Sequence, residues 1–283
     1  MPIRSEKKLT LPVAHWSFVE PRGQQNRDLK ALAIINFCRS MGRIDVKVNM
    51  KIENRKSWDT AMTGYSQRLK ELVAQYPNSD ILELGAGRYP SFTFSEMPNT
   101  VSTYTVNDIS EDELSLLPAG YAKACFDVSG DATNFNDTYD VVFSRFLAEH
   151  VPDGVAMHRN VYSVLRKGGT AFHLIPTLYA LPFVINKYFP EKLSYQMLKI
   201  LSPRRAISPK FPAYYSACYA SPEKMMKMLR SVGYSEVEVI PFYGHFYYEK
   251  IPLVKQIHEK FSAIAAHNEW TALASYAYIR AVK

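Results

Sequence analysis

The chain has 283 residues, 47% of them hydrophobic, so it can bury the core of one large domain with sizeable additions. Its three cysteines, Cys38, Cys125 and Cys218, are widely spaced. This excludes a disulfide framework and a zinc-knuckle spacing, and it favours a cytoplasmic location. The first residues lack the apolar core of a signal peptide, and the most apolar region, 177–189, is interrupted by Pro182. We therefore expect no transmembrane helix.

The formal net charge of +7 favours anionic partners, namely nucleic acid, a phosphorylated small molecule or an anionic membrane surface. A basic protein without any such partner is the simpler interpretation. The basic residues are scattered, with short clusters such as 203–210, and no Arg/Lys tract or RNP-like aromatic signature is present. Nucleic acid is therefore possible but not favoured.

The elements before residue 80 are predicted from hydrophobic periodicity. Apolar residues at helical spacing predict a helix over 28–41, and strict alternation predicts a half-buried strand over 44–52. Residues 58–76 form an amphipathic pattern that ends at Pro77. We interpret residues 1–57 as an N-terminal extension or cap and residues 58–283 as the main domain.

From residue 80 short strand-like runs alternate with helical patterns. The runs are "ILEL", "VSTYTVND", "YAKACFDV", "YDVVFSRF" and "TAFHLIP". Strands that alternate with helices imply right-handed crossovers and a mainly parallel sheet covered on both faces. The predicted fold is a doubly wound α/β domain.

Two excursions interrupt the later part of this pattern. Residues 177–219 contain five prolines and many aromatic residues, and "VINKYFPEKLSYQMLKIL" suggests two short helices. A helix from Pro222 to a stop at Gly233 and a strand "SEVEVIP" follow. A second excursion, 241–270, contains the helical "LVKQIHEKFSAI", and "TALASYAYIRAVK" should hold the last strand.

The loop after the first of these runs, "ELGAGRYP", has the position of a ligand-binding turn at the carboxyl edge of a parallel sheet. Gly85 and Gly87 by themselves could be no more than tight-turn glycines. A dinucleotide loop would carry a third glycine where Pro90 stands, and Glu83 would repel a phosphate. An acid beside the loop instead suits a ligand with positive charge.

With this acid and these glycines, the chain resembles the class I S-adenosylmethionine-dependent methyltransferases, from about residue 80 to residue 169. The resemblance implies a Rossmann-like, seven-stranded sheet with N-terminal and lid-like helical additions, and S-adenosyl-L-methionine as the cofactor. It places Glu83, Gly85 and Gly87 at the cofactor. It also assigns the ribose hydroxyls to Asp108, with Ile109 beside it, although Asp108 could simply cap the helix that follows.

The resemblance extends to the later strands. Asp127 corresponds to the carboxylate that accepts the adenine amino hydrogens, with Asp131 as a rival, and Val128 would offer its backbone N–H to the ring. Ser144 is placed with Arg145 at the lip of the site. "VLRKGGTAFHLIP" resembles the family's helix, glycine turn and fifth strand.

The catalytic prediction is less determined. His150, with Glu149 beside it, is the first candidate for a base, but it could equally anchor its loop or cap the next helix. The motifs of nucleobase amino methyltransferases, cytosine C5 methyltransferases, arginine methyltransferases and magnesium-dependent catechol-type enzymes are missing near Ser144, so no metal is expected. The prediction is methyl transfer to a small, polar or anionic acceptor such as a sugar, a glycan intermediate or a metabolite, with O-methylation preferred.

The acceptor is expected to meet residues of the excursions, whose aromatics either form a lid or only pack the added helices. The alternatives are an RNA- or protein-directed methyltransferase and a catalytically silent S-adenosylmethionine-binding module. The oligomeric state stays open.

Overall fold

The computed structural model describes residues 56–93, 96, 98–178, 212–246 and 252–283. All of them belong to the unit Met50–Lys283. The predicted helix over 28–41, the predicted strand over 44–52 and the two short helices predicted within 184–201 lie outside the described residues.

One sheet of seven strands organises the described residues, with the order β3-β2-β1-β4-β5-β7-β6. All neighbouring strands from β3 to β5 pair in parallel, and β7 is antiparallel to both β5 and β6. The prediction of a doubly wound, mainly parallel seven-stranded sheet is confirmed. The strands are β1 (Ser79–Leu84), β2 (Val101–Asp108), β3 (Ala122–Cys125), β4 (Tyr139–Arg145), β5 (Leu165–Pro176), β6 (Glu236–Phe242) and β7 (Tyr276–Val282).

Four of the five described helices begin at a serine or aspartate N-cap that is visible in the sequence. The five helices are α1 (Trp58–Val73), α2 (Glu111–Ser115), α3 (Gly154–Val164), α4 (Pro222–Val232) and α5 (Pro252–His267). Asp153 accepts two backbone N–H groups at the start of α3, and Pro222 occupies the first turn of α4. None of these described helices is long and apolar enough to cross a bilayer.

Helices cover both faces of the sheet, and β5 demonstrates this directly. Tyr65 of α1 stacks on Phe172 with ring centroids 5.4 Å apart, while His158 of α3 lies edge-on to His173 at 5.5 Å. Phe172 and His173 are consecutive in the strand, so their side chains point to opposite faces. Helices α1 and α3 therefore lie on opposite sides of the sheet, as a doubly wound fold requires.

The glycine pair predicted as a turn before the fifth strand lies inside β5. Tyr139 pairs with Leu165, but Val141 pairs with Thr170, so the register shifts over this stretch. Gly168 has φ +80°, and a Cβ on Gly169 would lie 2.9 Å from the carbonyl oxygen of Arg166. The two glycines form an irregularity in the strand, because a left-handed backbone and a close approach are both needed there.

The parallel arrangement brings the carboxyl ends of β1 to β5 to one edge of the sheet. Strand β6 is antiparallel to β7, as β5 is, so β6 also ends at this edge. The two predicted excursions follow β5 and β6 and thus leave the sheet at the edge where parallel sheets bind ligands.

The buried His158 generates a prediction about stability. Burial lowers the pKa of His158 from 6.5 to about 4, and burial together with neighbouring His158 lowers the pKa of His173. Between pH 6.5 and about pH 4, His158 binds a proton in the unfolded chain but not in the folded one. The unfolding free energy therefore falls as the pH falls below about 6.5. We expect His158 to account for a loss of about 3 kcal/mol in unfolding free energy by pH 4.

Urea denaturation of the parent and of His158→Gln from pH 8 to pH 4 measures this contribution. The parent should be the more stable protein at neutral pH, and the gap should narrow as the pH falls. His267→Gln, at an exposed position of α5, is the matched control. A gap that is independent of pH would contradict the assignment.

Candidate cofactor and active site

The loop after β1 contains two glycines that are required by their surroundings. Gly85 and Gly87 have φ values of +66° and +52°. A Cβ on Gly85 would lie 2.5 Å from Leu147 Cδ1, and a Cβ on Gly87 would lie 3.0 Å from Asp108 Oδ2. Both positions thus combine a left-handed backbone with a close approach. The loop runs directly against the carboxylate at the end of β2.

Glu83 holds this loop from the inside. Its side chain is buried at 4% exposure and accepts hydrogen bonds from the N–H of Ser91 at 2.9 Å, from the Ser91 hydroxyl and from the Tyr104 hydroxyl. Burial raises the pKa of Glu83, and the hydrogen bonds from Ser91 and Tyr104 oppose that shift. The contacts show a carboxyl that closes the glycine loop onto β2. Its place as a direct cofactor ligand stays a prediction.

Asn107 joins three strand ends and was missed by the sequence reasoning. Its side-chain oxygen accepts from the N–H of Gly85 at 3.4 Å, and its side-chain nitrogen donates to the carbonyls of Ala124 and Phe126 at 2.9 and 3.0 Å. The residue is buried at 1% exposure. The signal that could have found it is a polar side chain among the apolar residues of a strand, directly before Asp108.

Asp108 ends β2 in contact with the glycine loop. Its Oδ1 accepts the N–H of Ser110 at 2.9 Å, and its Oδ2 faces Gly87. Its backbone carbonyl accepts the N–H of Phe126 at 3.3 Å. Ile109, directly after it, is 71% exposed. One carboxylate oxygen is therefore used by the local turn and the other lies beside Gly87.

The structure places Asp127 two residues after the end of β3 and Asp131 four residues further on. Asp127 Oδ1 accepts from the N–H and hydroxyl of Ser129, both at 2.8 Å, and Asp131 makes the same pattern with Thr133. Hydrogen bonds from Thr133 lower the pKa of Asp131. Both carboxylates are exposed and engaged locally in the same way, so these contacts do not choose between them as the adenine ligand.

The loop between these acids is held by α3. The Asn160 side chain donates to the carbonyls of Val128 and Gly130, at 3.1 and 2.5 Å. Val128 is buried at 8% exposure. The turn after β3 is thereby tied to the helix that covers this face of the sheet.

Ser144 lies within the sheet and not at its surface. It is fully buried, and its hydroxyl is 2.8 Å from His173 Nδ1. Arg145 is exposed, with its guanidinium carbon 5.5 Å from the centre of the Phe146 ring. Phe146 has φ +57°, which is strained for a bulky residue and is typical of functional loops. The predicted lip of the site therefore begins at Arg145, while Ser144 as a cofactor contact stays a prediction.

The turn Ala148–His150 holds the candidate base. His150 Nδ1 lies 2.8 Å from the carbonyl oxygen of Pro212, so this nitrogen carries the proton and Nε2 has the lone pair. Nε2 lies 3.8 Å from Glu149 Oε1. Glu149 is 7% exposed, its Oε2 has no hydrogen-bond partner, and burial raises its pKa to about 7. A histidine that can accept a proton thus lies beside a buried carboxyl that titrates near neutrality.

The end of the first excursion docks on this turn. The N–H groups of Tyr214 and Tyr215 donate to the Glu149 carbonyl at 2.7 and 3.1 Å. Ser216 Oγ accepts from the N–H of Gly154 at 2.9 Å, and a Cβ on Gly154 would lie only 2.2 Å from the Ser216 carbonyl. Tyr215 and Ala217 both have positive φ, at +51° and +56°. The segment 212–217 is therefore tightly fitted to the residues that follow β4.

The charged side chains at this edge of the sheet fit S-adenosylmethionine and not a phosphate. Carboxylates stand at or just after the ends of three neighbouring strands, at Glu83, Asp108 and Asp127. The basic residue of the glycine loop, Arg88, forms an ion pair with Glu113 through two contacts of 2.7 Å. Carboxylates accept hydrogen bonds from ribose hydroxyls and adenine amino groups, and they attract a sulfonium or an ammonium group.

Comparisons with known proteins agree with this geometry. Residues 82–173 match the family model described as "Methyltransferase domain". An S-adenosylmethionine-dependent methyltransferase from Mesorhizobium loti has a similar structure, with a TM-score of 0.50 and 15% identity over 79% of this chain and 98% of that one. At this identity the likeness shows the fold alone. No curated protein sequence matches the chain.

Two further solved structures have lower scores. Phosphoethanolamine N-methyltransferase 2 of Haemonchus contortus has a TM-score of 0.48 and 15% identity over 80% of this chain and 53% of that one. A possible histamine N-methyltransferase of Thermotoga maritima has a TM-score of 0.46 and 14% identity over 80% of this chain and 92% of that one.

The fold and its carboxyl edge define the Rossmann-like class of nucleoside-binding α/β proteins. The match over the glycine loop, β2, β3, β4 and most of β5 identifies residues 82–173 as a methyltransferase domain, and the protein is an S-adenosylmethionine-dependent methyltransferase. Its cofactor is S-adenosyl-L-methionine.

Asn107 generates a prediction for the cofactor side. In Asn107→Asp the shape is kept, but the amide donor to two carbonyls is lost and a buried acid faces them. We expect a loss of about 2 kcal/mol in unfolding free energy. We also expect weaker binding of S-adenosylhomocysteine, because Gly85 and the end of β3 are no longer hydrogen-bonded to the same side chain.

Denaturation and isothermal titration calorimetry measure the two effects. Asn268→Asp is the matched control, since this amide donates to a carbonyl at 2.8 Å from an exposed position beyond α5. Wild-type affinity and stability in Asn107→Asp would show that the three-strand contact is dispensable.

Proposed function

We propose that this methyltransferase transfers the methyl group to a small, polar or anionic acceptor, with oxygen as the preferred acceptor atom. A sugar, a glycan intermediate or another polar metabolite fits this description. We also propose that the chain consists of an N-terminal extension, 1–57, and a methyltransferase domain, 58–283. In the same proposal the protein is cytoplasmic and its reaction uses no metal.

The observation that carries the proposal is the contact between His150 and the returning excursion. S-adenosylmethionine supplies a methyl group that its sulfonium already activates, so the protein must align the acceptor and remove a hydroxyl proton where there is one. The bond from Nδ1 to Pro212 orients the His150 ring and makes Nε2 the basic nitrogen, which accepts that proton in this proposal. Segment 212–217 thus supports the base and belongs to the acceptor side.

An anionic or strongly polar acceptor is supported by charge on the same stretch of chain. Arg145 is exposed directly after the buried part of β4, four residues before Glu149. The whole chain carries a formal net charge of +7. A positive side chain at this position attracts an anionic substrate. Tyr214, which is 45% exposed beside His150, adds an aromatic surface for a sugar or a planar group.

On the cofactor side we propose direct roles for the predicted residues. Gly85 and Gly87 let the backbone approach the methionine portion and the ribose, and Asp108 accepts the ribose hydroxyls through Oδ2. Ile109 packs on the adenine, while Asp127 and the N–H of Val128 bind its edge. Glu83 and Ser144 are the remaining cofactor contacts of this proposal, and Ser91 and His173 hold their side chains.

The test is a methyl-acceptor screen. Purified enzyme and isotopically methyl-labelled cofactor are added to a small-molecule extract of the source cells, and mass spectrometry identifies metabolites that gain the label. We expect a polar metabolite labelled on oxygen. Label on an amine would overturn the O-methyl assignment but keep a small-molecule acceptor.

Two other outcomes would replace the proposal. Label found in the RNA or protein fraction, with binding that weakens steeply as salt rises, would indicate a macromolecular acceptor. Cofactor binding by calorimetry with no labelled product in any fraction would indicate a catalytically silent binding module.

His150 generates a kinetic prediction. With a hydroxyl acceptor, His150→Gln should lower kcat about 100-fold or more, because the transition state loses its proton acceptor. The affinity for S-adenosylhomocysteine should stay within about twofold. His267→Gln is the control at an exposed site. A kcat within about twofold of the parent would place the base elsewhere, and His245 and Tyr214 would be the next variants.

Glu149 generates a prediction about pH. Its raised pKa, about 7, means that the carboxylate form is present above that pH and the neutral acid below it. An ionised carboxyl 3.8 Å from Nε2 stabilises the imidazolium that forms when His150 accepts a proton. We therefore expect kcat to rise with pH through about 7. Glu149→Gln should have a lower plateau, and the rise that remains, which reports deprotonation of His150 alone, should have a different midpoint. A parent-like profile in Glu149→Gln would contradict the role of Glu149.

A further inference from the structure

Arg88 lies in the glycine loop and forms a two-point ion pair with a residue beyond β2. Its Nε lies 2.7 Å from Oε2 of Glu113, and its Nη2 lies 2.7 Å from Oε1 of the same carboxylate. Both side chains are partly exposed, at 35% and 41%. An exposed pair adds little to stability, although a two-point contact between guanidinium and carboxylate fixes orientation. Its position, between the glycine loop and the helix that follows Asp108, points to another use.

Glu113 occupies the third position of α2 and would ordinarily complete a capping box. In the pattern Ser-x-x-Glu the serine accepts the N–H of the glutamate, and the glutamate reaches back to the N–H of the serine. The first half is present, since Ser110 Oγ accepts the N–H of Glu113 at 3.3 Å. The second half is missing, because Glu113 is held by Arg88. The N–H of Ser110 donates to Asp108 Oδ1 at 2.9 Å instead.

Asp108 and Glu113 are therefore two possible acceptors for one N–H group. The same two residues contact Gly87, where an added Cβ would lie 3.0 Å from Asp108 Oδ2 and 3.2 Å from Glu113 Cβ. Asp108 is held by a single N–H on Oδ1, and this bond sets where Oδ2 points. If Glu113 took that N–H, the carboxylate of Asp108 would lose its orientation against the glycine loop.

We propose that Arg88 is a positioning residue for the cofactor site: it holds Glu113 away from the N–H of Ser110, so that this donor fixes the carboxylate of Asp108. The inference rests on the proposed role of Asp108 as acceptor of the ribose hydroxyls. It explains why a basic residue stands in a loop that binds no phosphate. Arg88 itself touches no reacting atom.

The test is calorimetry with S-adenosylhomocysteine on Arg88→Gln, Glu113→Ala and the double variant. Arg88→Gln releases Glu113 and should weaken binding about tenfold. Glu113→Ala removes the competing acceptor and should cost less. The double variant should bind better than Arg88→Gln alone. If the pair only tethers the loop, the double variant will bind no better than Arg88→Gln, and that result would overturn the proposal.

A ligand without the ribose 2′-hydroxyl gives a second readout. The 2′-deoxyribose analogue of S-adenosylhomocysteine should lose clearly less affinity in Arg88→Gln than S-adenosylhomocysteine does, because one of the two hydroxyls that Asp108 contacts is already missing. An equal tenfold loss for both ligands would indicate general damage and would also overturn the proposal. Arg166→Gln is the matched control, since Arg166 makes 2.7 Å ion pairs with Asp80 and Asp140 near the amino ends of β1 and β4. Its affinity should equal that of the parent.

Asp108→Asn separates this inference from the proposed cofactor site. Parent-like binding by Asp108→Asn would remove the ribose assignment itself. Weak binding by Asp108→Asn together with parent-like binding by Arg88→Gln would remove only the role of Arg88. When Asp108→Asn binds weakly, adding Arg88→Gln to it should cause little further loss.

Discussion

The side chain of Asn107 joins the carboxyl ends of β1, β2 and β3, and the cofactor side of the enzyme depends on that contact. One amide accepts from the N–H of Gly85 and donates to the carbonyls of Ala124 and Phe126. Because these strands are neighbours in a parallel sheet, their ends meet at one edge, and a buried polar side chain that bonds to both neighbours of β2 helps to fix their relative positions. Glu83 has a similar role within β1, where it accepts hydrogen bonds from Ser91 and Tyr104 and closes the glycine loop.

The proposed acceptor side is built by a different principle. The residues after β4 form the strained turn at Phe146 and the short turn Ala148–His150, and the end of the first excursion is bonded to them through backbone groups. The partnerless Oε2 of Glu149 and the two left-handed residues, Tyr215 and Ala217, lie at this junction. Unpaired buried groups and strained backbone cost stability, and they are concentrated where a protein uses them. This supports the junction as the place of catalysis.

Much of the fold followed from sequence pattern, since alternating strands and helices with clear caps leave few alternatives. The runs that became β1, β2 and β4 were recognisable from apolar residues ended by Gly85, Asp108 and Arg145. The glycine pair near β5 was placed less well, because a bulge and a turn have the same glycine signature until the register of the partner strand is known. Ser144 was expected at the lip of the site, and its bond with His173 could not be read from residues that are 29 positions apart.

The sequence by itself determined the class of the protein, because an acid, two glycines and an acid at the end of the next strand are local features that one ligand requires in a fixed order. It also suggested His150 and raised the question of Arg88. Only the tertiary structure decided which atoms are available. Nδ1 of His150 is hydrogen-bonded to the carbonyl of Pro212, and Arg88 forms an ion pair with Glu113. Glu149 is buried, and burial raises its pKa to about 7. Hydrogen-bond partners and burial arise between segments distant in the chain, so they follow from packing and not from local pattern.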